Sequence, residues 1–128
     1  MMKMKNGLLF FCLAVFAMGC TTTTGITNLT ASRAKRSPNN LYHVEYALNS
    51  NQQSLRMDSI TPIVVVGFEN YPMRKVPKMQ NRWEAEIPVP ADKKAVNYHY
   101  KVDYEYNAFG DRGKGSLLSP EYKLLIED

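Results

Sequence analysis

One segment constrains the fold more than any other, because apolar and polar side chains alternate strictly over residues 96–106. Successive side chains of a β-strand point to opposite faces of its sheet, so this pattern predicts a strand with one dry face and one wet face. The apolar positions are Val96, Tyr98, Tyr100, Val102, Tyr104 and Tyr106. Helical spacing is almost absent from the chain, so we expect a β protein.

The preceding segment, residues 82–89, alternates in the same way, with Trp83 on its apolar side. We expect the two segments to form a hairpin in which Val89 faces Val96 and residues 90–95 form the loop. Slipping this register by two residues would oppose like charges, at a cost of about 0.2–1 kcal/mol per pair. The expected register instead pairs opposite charges on the wet face, namely Glu84 with Lys101 and Arg82 with Asp103.

Shorter segments supply the remaining predicted strands. The continuous apolar run at 63–68 is typical of a central strand buried on both faces. Pro72 and Pro77 should flank an edge segment, since proline cannot donate to an interior ladder. The glycines of residues 107–116 indicate a mobile loop. Further strands are expected at 26–32, 42–48 and 122–126.

About seven strands, each with one apolar face, favour two sheets packed face to face. We therefore predict an all-β fold, an immunoglobulin-like antiparallel β-sandwich with Trp83 at the centre of its core. The paired cysteines that flank a tryptophan in antibody domains are absent. A small β-barrel, which uses the same alternation, is the alternative.

The N-terminal segment has the features of an export signal. Lys3 and Lys5 precede the apolar stretch 8–18, which is shorter than the roughly 20 residues that a transmembrane helix needs. The following residues 17–20, ending in Gly19 and Cys20, resemble the lipobox of bacterial lipoproteins. This resemblance implies cleavage before Cys20 and acylation of its sulfur, for example with palmitate. The alternative is an ordinary signal cut near Gly19 that leaves Cys20 as a free cysteine.

The expected organisation is a signal peptide at 1–19, a lipidated Cys20 with a polar tether at 20–25, and a sandwich domain at 26–128. Removing the 19 signal residues from 128 leaves 109, and the net charge falls from +4 to +2 because Lys3 and Lys5 leave. A net charge this small argues against a nucleic-acid partner. In lipoproteins, Thr21 rather than aspartate after the cysteine implies anchoring in the outer membrane, facing the periplasm.

The remaining side chains offer little chemistry, and we expect no catalytic residue, no metal and no cofactor. The two histidines lack a metal-binding spacing, and there is no nucleophile elbow or phosphate loop. Four carboxylates on one outward face could supply a glycosidase pair. Their alternation with basic residues favours solvated cross-strand pairing instead. They are Glu84, Glu86, Asp103 and Glu105.

Candidate binding residues lie in two places. Phe109, beside Gly110, could stack on a sugar or insert into a partner, or it could fold back as a lid on the sandwich. Tyr71 and Met73, on either side of Pro72, could form an edge patch that accepts a partner strand.

Two functions remain open. The signal, the tether and the lack of catalytic groups favour a lipid-anchored, non-enzymatic module that binds another envelope protein. The alternative is a glycan-binding module. It follows from the stretch between Trp83 and Lys101, with Pro88 and Pro90 at its turn, which resembles starch- and glycogen-binding modules of the early-set type.

Overall fold

The computed structural model describes residues 23–128, which form two β-sheets packed as a sandwich. The predicted signal peptide and Cys20 lie outside these residues. No helix in the described range is long and apolar enough to cross a membrane. The strands are β1 (Thr24–Asn28), β2 (Arg33–Lys35), β3 (Leu41–Ser50), β4 (Leu55–Val66), β5 (Glu69–Pro72), β6 (Arg74–Lys75), β7 (Arg82–Pro88), β8 (Ala95–Ala108), β9 (Asp111–Leu118) and β10 (Tyr122–Glu127).

The topology confirms the predicted all-β sandwich. One sheet has the order β1-β3-β7-β6, and the other has the order β2-β10-β8-β4-β5, with β9 also paired to β8. The first order is that of strands A, B, E and D of an immunoglobulin domain, and β4-β8-β10 corresponds to C, F and G. The other three strands are β2, which pairs in parallel with β10, β5, which pairs with β4, and β9, which pairs with β8. The ten described strands exceed the expected seven.

The predicted hairpin between residues 82–89 and 96–106 is wrong. Strand β7 pairs with β3 and β6, whereas β8 pairs with β4, β9 and β10 in the opposite sheet. Both strands do turn their apolar faces inward. Two strands in facing sheets can bury these faces as well as two neighbouring strands of one sheet can. The charges of β7 therefore pair within their own sheet, Arg82 with Glu45 and Glu84 with Arg74.

The predicted mobile loop at 107–116 is a β-hairpin. Strand β8 continues to Ala108, and β9 begins at Asp111 after a two-residue turn in which Gly110 has a φ of +73°. Tyr104 lies opposite Gly115, and Tyr106 lies opposite Gly113. A Cβ atom on either glycine would collide with the ring of the tyrosine opposite. These glycines thus accommodate aromatic rings across the ladder, a known means of stabilising glycine in strands.

Two other predicted boundaries are also corrected. β4 begins at Leu55, ahead of the predicted start, and ends at Val66. Gly67 then turns the chain with a φ of +61°, so Phe68 lies outside the strand and is exposed rather than buried. β1 begins at Thr24, inside the predicted tether.

An aromatic layer holds the two sheets together. The ring of Tyr46 stacks on Trp83 with centroids 5.5 Å apart and lies 5.0 Å from the ring of Tyr100 on the other sheet. Tyr98 and Tyr122 extend the layer along that sheet. Trp83 is buried here, as predicted, and stacked aromatic pairs contribute about 0.5–1.5 kcal/mol beyond their buried area.

The tyrosine hydroxyls of this layer differ in their partners. Tyr100 Oη donates to Asn28 Oδ1 at 2.7 Å and lies 3.0 Å from Thr30 Oγ1, while Asn28 Nδ2 donates to Tyr98 Oη at 2.9 Å. These bonds connect the end of β1 to the opposite sheet. Tyr46 Oη is buried without a hydrogen-bond partner among the described residues. Burial raises the pKa of both Tyr46 and Tyr100, which keeps the two hydroxyls neutral.

This difference predicts opposite results for two matched substitutions. Tyr100→Phe removes the hydrogen bond to Asn28 Oδ1 and the contact with Thr30 Oγ1, and should lower the free energy of unfolding by about 0.5–1.5 kcal/mol. Tyr46→Phe removes an unpartnered hydroxyl, and should leave stability unchanged or slightly raised. Urea denaturation measures both. Equal losses in the two variants would contradict the hydrogen-bond assignment.

The glycines of β9 give a second prediction. Gly113→Ala should destabilise the protein by about 1–3 kcal/mol, because the new methyl group overlaps the Tyr106 ring. Gly25→Ala is the control, since its Cβ would meet nothing within 4 Å. In the background Tyr106→Ala, the penalty of Gly113→Ala should shrink. An undiminished penalty in that background would show that the ring is not its cause.

Candidate functional site

The first described residues run along one end of the sandwich. Thr23 N donates to Asn51 Oδ1 at 2.6 Å, and Asn51 N donates back to Thr23 O at 3.0 Å. An open cleft of about 840 Å³ lies beside them, lined in part by Leu55 and Met57. The first described residue, Thr23, is therefore held at this end of the domain. We call this the tether end, formed by Thr23, residues 51–54 and the β8–β9 turn.

A main-chain contact places the β8–β9 turn next to residues 51–54 of the tether end. Asn107 N donates to Ser54 O at 2.8 Å, and the strand continues for one more residue before the turn. Phe109 lies at the tip and is 108% exposed. The alternative in which Phe109 folds back as a lid is thereby excluded. Its ring is available to a ligand, a partner or a lipid surface.

The proposed edge patch around Pro72 is only partly present. Strand β5 is the last strand of its sheet among the described residues, as expected for a proline-bearing edge. Met73 is only 8% exposed, and its N donates to Pro62 O at 3.1 Å, so the prediction that it forms a surface contact is wrong. Tyr71 is partly buried and packs against the core. Met73 turns inward because the chain crosses from β5 in one sheet to β6 in the other at this point.

A second exposed aromatic residue was missed by the sequence reasoning. Phe68 is 104% exposed in the two-residue turn between β4 and β5. The glycine before it was the available signal, since glycine commonly opens such hairpin turns. Because Val65 pairs with His99 of β8, the turn lies near the start of β8, whereas Phe109 follows its end. At about 3.3 Å per residue, the two phenylalanines are roughly 30 Å apart.

The four carboxylates proposed to share one outward face do not share it. Glu84 and Glu86 belong to β7, and Asp103 and Glu105 belong to β8 in the opposite sheet. Asp103 accepts a hydrogen bond from Ser116 Oγ at 2.7 Å. The glycosidase-like grouping therefore fails, because it depended on the incorrect hairpin.

A cluster that no local motif predicts lies on the outer face of the four-stranded sheet. His43 Nε2 lies 3.3 Å from Glu45 Oε1 and 3.8 Å from Glu84 Oε2. Arg82 Nη1 lies 3.6 Å from Glu45 Oε2, and Arg74 Nε lies 3.3 Å from Glu84 Oε1. We call these five side chains the charged cluster. The pairing of β3 with β7 brings His43 and Glu45 to Glu84 and Arg82, and the pairing of β6 with β7 adds Arg74.

Comparisons with protein-family models, curated proteins and solved structures gave no match to this chain. Its function must therefore be inferred from its own residues. Three features are available for that inference: the tether end with Phe109, the distant Phe68 turn and the charged cluster.

Proposed function

We propose that the protein is a lipid-anchored, non-enzymatic lipoprotein of the bacterial envelope that acts as a protein-interaction or assembly module. The observation that carries the proposal is the position of Thr23, three residues after the lipobox cysteine. Three residues span at most about 11 Å. An acylated Cys20 would thus hold the tether end close to the bilayer surface.

This short link also implies an orientation for the domain. Phe109 belongs to the tether end and would meet the interface, where apolar aromatic side chains add to the affinity of a lipid anchor. Phe68, roughly 30 Å away along the sheet, would face outward from the membrane. Exposed aromatic residues are common anchors of protein interfaces, so the Phe68 turn is the proposed partner contact.

The non-enzymatic part of the proposal is supported by the separation of the acidic side chains. The two pairs of carboxylates that could have formed an acid–base site lie on opposite sheets. Glu45 contacts Arg82, and Glu84 contacts Arg74.

The anchor is tested by labelling cells with a fatty-acid analogue. The wild-type protein should incorporate the label and sediment with membranes, whereas Cys20→Ser should lose the label and the membrane association. Cys12→Ser is the matched control, because Cys12 lies within the segment expected to be cleaved. Label that persists in Cys20→Ser, or is absent from wild type, would remove the proposed anchor.

The orientation is tested by placing a photo-crosslinking amino acid at Phe68 or at Phe109 in the same full chain. We expect adducts with lipid from position 109, and one protein adduct of reproducible mass from position 68. Because both residues are fully exposed, neither replacement should disturb the fold. Lipid adducts from position 68 instead of 109 would reverse the orientation, and no protein adduct from 68 would refute the partner contact.

The alternative function, a glycan-binding module, is favoured by the complete exposure of Phe109. Affinity electrophoresis in soluble starch would then show retardation that Phe109→Ala reduces. Tyr71→Ala, which alters a partly buried ring, should have a smaller effect. Migration of the wild type unchanged by the polysaccharide would eliminate this alternative.

A further inference from the structure

We propose that the charged cluster is a divalent transition-metal site, with Zn²⁺ as the favoured ion and His43, Glu45 and Glu84 as its ligands. His43 and Glu45 are two residues apart on β3 and so project from the same face. Glu84 lies directly opposite Glu45 on β7. One ligand atom from each side chain can be chosen so that all three lie within 4.8 Å of one another.

The distances suit a small tetrahedral ion. Ligands at the usual Zn–N and Zn–O distances of about 2.0–2.2 Å lie about 3.4 Å from one another. His43 Nε2 lies 3.3 Å from Glu45 Oε1 and 3.8 Å from Glu84 Oε2. Rotation of exposed side-chain bonds by small amounts would complete the fit. One imidazole and two carboxylates form a mixed nitrogen and oxygen set that suits zinc better than calcium or magnesium, and water can occupy the fourth position.

The two arginines provide an independent observation, because they leave the inner carboxylate oxygens available. Arg82 contacts Oε2 of Glu45, whereas the oxygen that faces His43 is Oε1. Arg74 contacts Oε1 of Glu84, whereas the oxygen that faces His43 is Oε2. Ligand carboxylates in metal sites are commonly oriented by such outer partners. Here each carboxylate has one oxygen within 3.6 Å of a guanidinium nitrogen and the other within 3.8 Å of His43 Nε2.

The charge of this face also favours a cation. Glu45 and Glu84 are like charges in directly opposed positions, which is unfavourable in a sheet. Glu86 lies opposite His43 and adds a third carboxylate against the two guanidinium groups of Arg74 and Arg82. The side chains of Glu45 and Glu84 are each only 17% exposed, so water screens them incompletely. An ion between them would offset the repulsion between Glu45 and Glu84 and link β3 to β7.

Isothermal titration of the purified full chain, without a histidine tag, with ZnCl₂ tests the site. We expect one Zn²⁺ per chain, with binding abolished in His43→Ala and weakened at least about tenfold in Glu84→Gln. His99→Ala is the matched control, since His99 is the only other histidine and lies on the opposite sheet. It should bind zinc as the wild type does.

Cobalt provides a second readout. The wild type with Co²⁺ should develop the visible absorption of a tetrahedral site, and His43→Ala should not. Zinc should raise the thermal unfolding midpoint of wild type and of His99→Ala, because a ligand that binds only the folded state stabilises it. If His43→Ala does not fold, the Glu84→Gln titration decides.

Two results would overturn the proposal. The first is the absence of a one-to-one zinc isotherm in the wild type. The second is zinc binding that His43→Ala and Glu84→Gln leave unchanged. In either case, His43 would only contact the two glutamates without binding a metal. Neither result depends on whether Cys20 is acylated.

Discussion

Contact between aromatic rings across the two sheets is the interaction on which the rest of this structure depends. Tyr46 and Trp83 from one sheet meet Tyr100 from the other. The hydroxyl of Tyr100 then binds Asn28 at the end of β1, so the same layer that joins the sheets also holds the first strand in place. Since β1 runs from Thr24 to Asn28, this contact helps to hold the first described strand on the sandwich.

Local periodicity was sufficient to predict β7 and β8 and their buried faces, but not β9. Alternation over 82–89 and 96–106 identified β7 and β8, and it placed Trp83 in the core, because a half-buried strand must repeat every two residues. Periodicity carries no information on which strands are neighbours. The apolar faces of β7 and β8 both turn into the core between the two sheets, and a hairpin would have buried the same side chains.

The glycine-rich segment shows a related limit. Glycine in a sequence indicates freedom of the backbone, but Gly113 and Gly115 lie in a regular strand beneath Tyr106 and Tyr104. This use of glycine becomes apparent only when the partner strand is known. The exposure of Phe68 was likewise hidden, because an apolar run does not reveal where its turn begins.

The candidate site residues were predictable to different degrees. Phe109 was identified from its neighbouring glycine, and its exposure follows from the hairpin tip. The burial of Met73 could not be predicted, since it depends on the passage of the chain from β5 in one sheet to β6 in the other. The grouping of His43 and Glu45 with Glu84 was beyond any local motif, because it requires the β3–β7 register.

The proposed function joins a sandwich held together by its aromatic layer, a proposed anchor three residues before the first described residue, and two exposed phenylalanines at opposite ends. Its central claim is that an acylated Cys20 places the tether end at a bilayer. Intact-mass measurement of the native protein, extracted from membranes, tests that claim most directly. We expect a chain that begins at Cys20 and carries the added mass of acyl groups. A mass that corresponds to an unmodified cysteine, or to a chain that still begins at Met1, would contradict it.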